Sequence, residues 1–244
     1  MKQIIAGGLG FVGRAVQQLF PEAEIYDKGM DVPTERYNFC HVTTPTPMKE
    51  DGSCDTSAVE DVMAKVKAEI YIIRSTVPIG FLSKFPLAVM QPEYVASDSP
   101  YLAPLADIRK HPFIVLGGRP DAAKRVRRLY ETIYPPTVQF VEMTSTEAEI
   151  CKMMENSFID NYVSFCNEFF DICQKYEADY DRVREGFLAD PRMTKYWTYV
   201  YQSMRGWGGK CLPKDVSSLI YETGSPFMQA VRENNDRHKK TGIS

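Results

Sequence analysis

The run Lys2-Gln3-Ile4-Ile5-Ala6 leads straight into Gly7-Gly8-Leu9-Gly10-Phe11-Val12-Gly13. This short apolar strand entering a glycine turn constrains the fold more than any other feature of the chain. Gly8, Gly10 and Gly13 complete G-x-G-x-x-G, and the amphipathic segment 14–20 opens as a helix behind them. Strand, glycine turn and helix in that order form the dinucleotide fingerprint. The glycines let backbone approach a pyrophosphate, and the helix start offers free N–H groups and the positive end of its dipole. A second strand, 23–26, ends at Asp27, in place to bind a ribose 2′-hydroxyl and so to favour NAD over NADP; Lys28 next door weakens that preference. The competing reading is that the glycines only make a tight strand–helix packing.

Further along, strands and helices alternate up to about residue 143, and the remainder turns helical. After Asp27 an unusually short passage, 28–38, precedes the apolar run 39–42, where a full doubly wound half-domain needs another helix and strand. Residues 55–66 and 121–133 carry helical spacing, and 69–73, 87–90, 113–116 and 138–143 read as strands. Thr144-Ser145-Thr146-Glu147 offers a capping box that opens one long helix, its periodicity persisting through Ile150, Met154, Phe158, Phe165, Phe169 and Cys173 to about Tyr176. The fold class expected is α/β: an abbreviated Rossmann-like parallel sheet over 1–143, then an all-helical domain over 144–244 built on a long central helix and carrying a cysteine loop.

That cysteine lies in Gly206-Trp207-Gly208-Gly209-Lys210-Cys211-Leu212-Pro213-Lys214-Asp215, a glycine-rich turn ahead of a helix start marked by Pro213. Free N–H groups, the dipole and the neighbouring Lys210 and Lys214 favour a thiolate at Cys211, with Asp215 about one helical turn away. A buried structural cysteine beside an ordinary helix cap is the alternative. On the long helix Lys152 and Asn156 stand four apart, so an ammonium and a carboxamide project from one face; spacing alone favours an exposed solubilising lysine and a polar filler.

Composition narrows the class. The six cysteines form no C-x-x-C pair and resemble neither a disulfide framework nor a zinc site, so no metal is expected. A net charge of −3 with interspersed signs argues against nucleic acid, and the basic run 124–128 fits a solvated helix face. With no apolar run near a membrane span and no signal-like N-terminus, a cytoplasmic protein is expected.

Taken in order, the motifs resemble the nucleotide-sugar dehydrogenases of the UDP-glucose and UDP-N-acetylmannosamine type. The resemblance rests on Gly8 to Gly13, Thr44-Pro45-Thr46-Pro47, Asp51-Gly52 with Asp55, and Ser75-Thr76-Val77-Pro78-Ile79-Gly80. It continues through Pro92-Glu93-Tyr94, Lys152 and Asn156, Asn167-Glu168, Asp190-Pro191-Arg192 and Gly208 to Asp215. It implies a four-electron oxidation of a C6 alcohol with two NAD in succession, by way of an aldehyde, a cysteine-bound thiohemiacetal and a thioester released by water. Carried over, Cys211 is the nucleophile, Lys152 and Asn156 stabilise the C6 oxygen, and Asp215 with Thr76 and a water serves proton transfer. Gly8, Gly10, Phe11, Val12, Gly13, Asp27, Thr44, Pro45, Thr46, Ser75, Thr76 and Lys214 would bind NAD; Glu93, Tyr94, Lys152, Asn156 and Gly208 would meet the substrate.

Three departures accompany the resemblance. Ser97 stands where the family places a glutamate for hydrolysis, with Asp98 adjacent and the next segment rearranged around Pro100, Pro104 and His111-Pro112. The short passage after Asp27 trims the adenosine side of the cofactor site. The sequence also stops at Ser244, where relatives continue into a second Rossmann-like domain that grips UDP, so a truncated form of the family is expected. Arg192, Arg205, Lys210 and Trp207 remain for an anionic or sugar-bearing ligand, although Trp207 serves equally as a core-edge aromatic. The alternatives are a β-hydroxyacid-type dehydrogenase performing one hydride transfer, and a non-catalytic reduced homologue. A homodimer through the long helix is expected, because that helix carries more apolar surface than one small domain covers.

Overall fold

The computed structural model describes residues 1–95, 105, 107–209 and 211–241; Ser97, Asp98, Pro100, Pro104 and Lys210 lie outside them. The chain divides into two compact units, Met1–Glu50 with Cys54–Lys152, and Asp51–Ser53 with Met153–Ser244.

The first unit is a seven-stranded sheet in the order β2-β1-β3-β4-β5-β6-β7. Its elements are β1 (Gln3–Ala6), α1 (Phe11–Leu19), β2 (Glu24–Tyr26), β3 (Arg36–Val42), α2 (Ser57–Lys65), β4 (Lys67–Ile73), β5 (Ala88–Met90), β6 (Phe113–Gly117), α3 (Pro120–Glu131) and β7 (Gln139–Met143). Neighbouring strands are parallel except β5 and β6, which meet antiparallel at Met90 and Gly117. The sheet is thus mostly parallel, as the abbreviated Rossmann-like class requires, with one reversal that the apolar runs do not encode, since such a run specifies burial and carries no strand direction.

Both faces of the sheet are covered, so consecutive strand residues are buried in opposite directions. Ile4, Cys40, Val42, Tyr71 and Ile73 pack with Val59 and Val62 of α2 on one face. Ile5, Phe39, Ile70 and Ile72 pack with Ala15, Val16 and Leu19 of α1 and Val126 of α3 on the other. The passage 27–35 crosses from β2 to β3 without a helix, which leaves β2 at the sheet edge. The basic run of α3 is solvent-facing, with Arg125 paired to Glu69 and Arg127 to both Glu131 and Glu142.

The long helix α4 (Ser145–Lys175) begins in the first unit and supplies its later turns to the second. Its capping box forms as expected: Thr144 N and Oγ1 donate to Glu147 Oε2 at 2.7 and 2.8 Å, and Glu147 N donates back to Thr144 Oγ1 at 3.3 Å. The second unit adds α5 (Tyr180–Leu188), α6 (Cys211–Thr223) and α7 (Pro226–Thr241). One core joins Cys166, Phe170 and Cys173 to Tyr180; a second joins Trp207, Val216, Met228 and Val231. Among the described residues no helix is long and apolar enough to cross a membrane.

Candidate functional site

In the first unit the C-terminal ends of β1, β3 and β4 lie side by side, and the order reverses at β1, whose neighbours are β2 and β3. Open α/β sheets bind ligands at such a switch point. Gly7 turns the chain out of β1 with φ +80°, and its amide donates to Tyr26 O at 2.9 Å. A Cβ on Gly13 would meet Gly7 O and lie 2.6 Å from Gly8 Cα, so only glycine lets α1 start this close to the turn. Among the described residues no side chain caps α1, which leaves its first amides for a ligand anion. Phe11 is exposed and Val12 half-buried beside this opening.

Asp27 sits where β2 ends and accepts from Leu9 N at 2.9 Å and Lys28 N at 2.8 Å. A carboxylate has about four lone-pair sites, so two amides leave capacity for a ribose hydroxyl while fixing the carboxylate against the glycine turn. The neighbouring strand ends are stitched by hydroxyls. Thr43 Oγ1 donates to Ala6 O at 2.8 Å, Ser75 Oγ to Thr44 O at 2.6 Å, and Thr46 Oγ1 to Thr76 O at 2.7 Å. Thr44 Oγ1 is buried and has no hydrogen-bond partner among the described residues, an arrangement that suits a polar ligand group. A glycine turn open to backbone approach, an uncapped helix start and an unpartnered hydroxyl at the switch point together fit a dinucleotide.

Glu93 and Tyr94 follow β5. Glu93 is committed to the protein: its Oε2 takes Arg74 Nε at 2.7 Å and Nη2 at 2.6 Å, and its Oε1 takes the amides of Tyr94 and Val95. Burial pushes the Glu93 carboxyl up, yet the Arg74 guanidinium and the two amides outweigh it and hold the group below the usual glutamate range. Arg74 Nη1 also donates to Gln91 Oε1 at 2.7 Å and reaches Tyr130 Oη at 3.2 Å. Next to this network His41 is fully buried, and burial, with Arg74 adding to it, pulls its imidazole down to about 3. Lys152, on the first turns of α4, places Nζ 4.9 Å from the Tyr94 ring centroid.

The second unit holds the thiol. Cys211 is exposed and is the first residue of α6, so the helix starts at the cysteine and Pro213 falls inside its first turn. The glycine stretch before it is pinned on three sides. Trp207 N donates to Asn235 Oδ1 at 2.7 Å, Trp207 Nε1 to Ser164 Oγ at 2.8 Å, and Gly206 N to Asn167 Oδ1 at 3.2 Å. Trp207 is therefore core. Arg205 is buried too, donating to Asn167 Oδ1 and Asp171 Oδ1 at 2.7 Å each, whereas Arg192 is exposed and paired with Asp190. Gly208, between Trp207 and the positive-φ Gly209, is half-buried.

One turn into α6, Asp215 is 2% exposed. Asn156 Nδ2 donates to its Oδ2 at 2.5 Å, and Lys214 Nζ approaches its Oδ1 at 2.5 Å. Lys214, expected at the cofactor, is thus held by a carboxylate of the same unit. A residue the sequence reading passed over is Asp160, one turn along α4 from Asn156 and fully buried. Glu149 was passed over as well; it accepts from Gly80 N at 2.5 Å and Leu82 N at 2.8 Å, fixing the turn after Thr76. For Asp160 the available signal was its i+4 spacing from Asn156; for Glu149 none was local.

Residues 146–237 match the UDP-glucose/GDP-mannose dehydrogenase family, central domain. The chain is 30% identical over 218 residues to the UDP-glucose 6-dehydrogenase of Campylobacter jejuni, an alignment covering 83% of this chain and 54% of that protein. By the family match, residues 146–237 carry the central domain of this family. The chain spans about half the length of the curated relatives it matches. Its fold is that of the UDP-glucose dehydrogenase of Pyrobaculum islandicum, with a TM-score of 0.79 at 22% identity over 97% of this chain and 68% of that one. The same fold extends to a 3-hydroxyisobutyrate dehydrogenase from Mycobacterium tuberculosis, with a TM-score of 0.67 at 12% identity over 99% of this chain and 96% of that one.

Proposed function

We propose that this chain is an NAD-dependent nucleotide-sugar dehydrogenase that oxidises the C6 alcohol of a UDP-hexose to the carboxylate, with Cys211 as the covalent nucleophile. The observation that carries this reading lies in the second unit. An exposed thiol starts α6, and one turn along the same helix is a buried carboxylate held by Asn156. Exposure counts against a buried structural cysteine and leaves the thiol accessible to an incoming carbonyl.

In this reading residues 1–143 form the cofactor domain and 144–244 the helical domain. Gly8, Gly10, Phe11, Val12 and Gly13 hold the pyrophosphate, Asp27 the ribose, and Thr44, Pro45, Thr46, Ser75 and Thr76 line the strand ends. NAD, when bound, supplies the hydride acceptor. The Cys211 thiolate attacks the aldehyde carbon, forming a C–S bond while the carbonyl electron pair moves to oxygen. Asn156 and Lys152 donate hydrogen bonds to that oxygen. Asp215 takes the proton from the attacking water when the thioester is released. Glu93 acts at one remove, by holding Arg74 and the backbone of Tyr94 and Val95.

The long helix also supports the homodimer. Met154 (72% exposed), Phe158 (52%) and Phe165 (44%) face solvent on one chain. Phe158, Tyr162, Phe165 and Phe169 run as successive ring contacts along the same helix. Such a stripe suits a second copy of α4 in a cytoplasmic enzyme. Incubation of the chain with NAD and a panel of UDP-hexoses, followed by NADH absorbance, tests the activity.

A further inference from the structure

The turn that leads into Cys211 is anchored at Trp207. The ring is buried in one core with Val216 of α6 and with Met228 and Val231 of α7, and the indole N–H donates to Ser164 Oγ of α4 at 2.8 Å. Its backbone is held on both sides by Asn235. Asn235 Oδ1 accepts from Trp207 N at 2.7 Å, and Asn235 Nδ2 donates to Trp207 O at 3.2 Å, the two bonds that a neighbouring strand would supply. A carboxamide offers an acceptor and a donor in one plane, as a peptide group does. Asn235 is buried in the interior of α7, where asparagine is a poor helix former, so the turn and not the helix accounts for this residue type.

Gly206 completes the clamp. It has φ +74°, and a Cβ there would run into Asn235 Oδ1, so only glycine lets the asparagine reach the next amide. Its own N–H donates to Asn167 Oδ1 of α4 at 3.2 Å. Cys211 thus lies between Trp207 and Val216, two points fixed in the same core.

We propose that Asn235 is a positioning residue for Cys211: by pairing with both backbone groups of Trp207 it fixes where α6 begins, and so holds the free amides and positive dipole end at the thiol. This rests on the role given to Cys211 above. Gly208 and Gly209 tolerate many backbone conformations, so without the clamp the first turn of α6 is free to fray. A frayed turn withdraws the amides and the dipole that favour the thiolate. Asn235 acts through Trp207 and not on the reacting atoms.

Alkylation of the full chain by iodoacetamide at neutral pH, with each cysteine followed by peptide mass spectrometry, tests this without cofactor or sugar. In Asn235→Ala the Cys211 rate should fall at least about threefold, the size of a lost helix-terminus interaction with an anion. The half-buried Cys151 of the first unit should keep its rate, and the buried Cys166 and Cys173 of α4 should stay protected, as a loss of folding would not allow. Gly206→Ala displaces Asn235 Oδ1 from the opposite side and should give the same pattern. A Cys211 rate unchanged or raised in a variant that keeps Cys166 and Cys173 protected overturns the proposal. If both variants unfold, amide exchange of the wild type decides. The Trp207 amide should exchange at least about tenfold more slowly than that of Gly208 after correction for intrinsic rates, and equal rates overturn the clamp. Because these readouts are taken on the resting protein, an inactive chain whose Cys211 rate depends on Asn235 counts against the dehydrogenase reading and leaves the clamp standing.

Discussion

Asn156 Nδ2 donates to Asp215 Oδ2 at 2.5 Å, and this bond ties the middle of α4 to the first turns of α6 inside the second unit. Asp215 is 2% exposed, so its carboxylate depends on that amide and on Lys214 for stabilisation. Replacing Asn156 with Ala removes a hydrogen bond to a charged group and should lower unfolding stability by about 1.5–3 kcal/mol. Urea denaturation of wild type and variant measures it, and a change under about 0.5 kcal/mol would show the contact is not formed in solution.

The Asp160 carboxyl gives a stability slope with a definite sign. Its folded value of about 8 lies above the unfolded value of about 3.9, so the folded chain holds a proton that the unfolded chain has released between those limits. Its contribution is full below about pH 4 and is lost as pH rises to about 8, by up to about 5 kcal/mol. Asp160→Asn should therefore match the wild type at pH 4 and melt at higher temperature at pH 8. Equal melting curves at both pH values would contradict the assignment.

Glu93 and Arg74 predict the opposite slope. Truncation of Glu93 to Gln leaves the guanidinium of Arg74, which is 3% exposed, without its counter-charge, at a penalty of about 3–5 kcal/mol. The folded carboxyl is depressed, so its stabilisation is present at neutral pH and is lost as pH falls through the folded value. Thermal melts from pH 7 down to pH 3 read both effects. A Glu93→Gln protein as stable as wild type but impaired only in sugar affinity would return Glu93 to direct substrate contact.

At the glycine turn, Gly13→Ala places a Cβ against Gly7 O and Gly8 Cα. Overpacking of this kind costs about 1–3 kcal/mol and widens the turn that α1 needs to present its amides. NAD affinity, measured by calorimetry, should fall at least about tenfold, equivalent to about 1.4 kcal/mol. Unchanged affinity would mean that the turn takes no part in cofactor binding.

Most of the first unit was legible because each element carries its own local cause. The strand before Gly7 is apolar on both sides, as a strand covered on both faces must be, and the box at Thr144 and Glu147 fixes where α4 begins. Strand direction at β5 and β6 was not legible, because Met90 meets Gly117 across 27 positions of chain and no periodicity encodes that pairing. The site residues divide in the same way. Gly13 and Cys211 announce themselves by motif, whereas the commitment of Glu93 to Arg74 arises only from folding, as do the burial of Asp160 and the partnership of Lys214 with Asp215.

The face of α4 is testable by size. Phe165→Asp places a charge in the middle of the stacked aromatic stripe, and light scattering after gel filtration should show a dimer become a monomer with the helical content kept. A wild-type chain that is monomeric at high micromolar concentration would refute the dimer.

Counting NADH released per UDP-hexose consumed, in wild type beside Cys211→Ser, decides whether the thiol takes part in the oxidation. Two NADH per sugar in the wild type, lost in the variant, is the predicted result. One NADH per sugar regardless of the residue at position 211 would contradict a covalent role for Cys211 and point to a single hydride transfer.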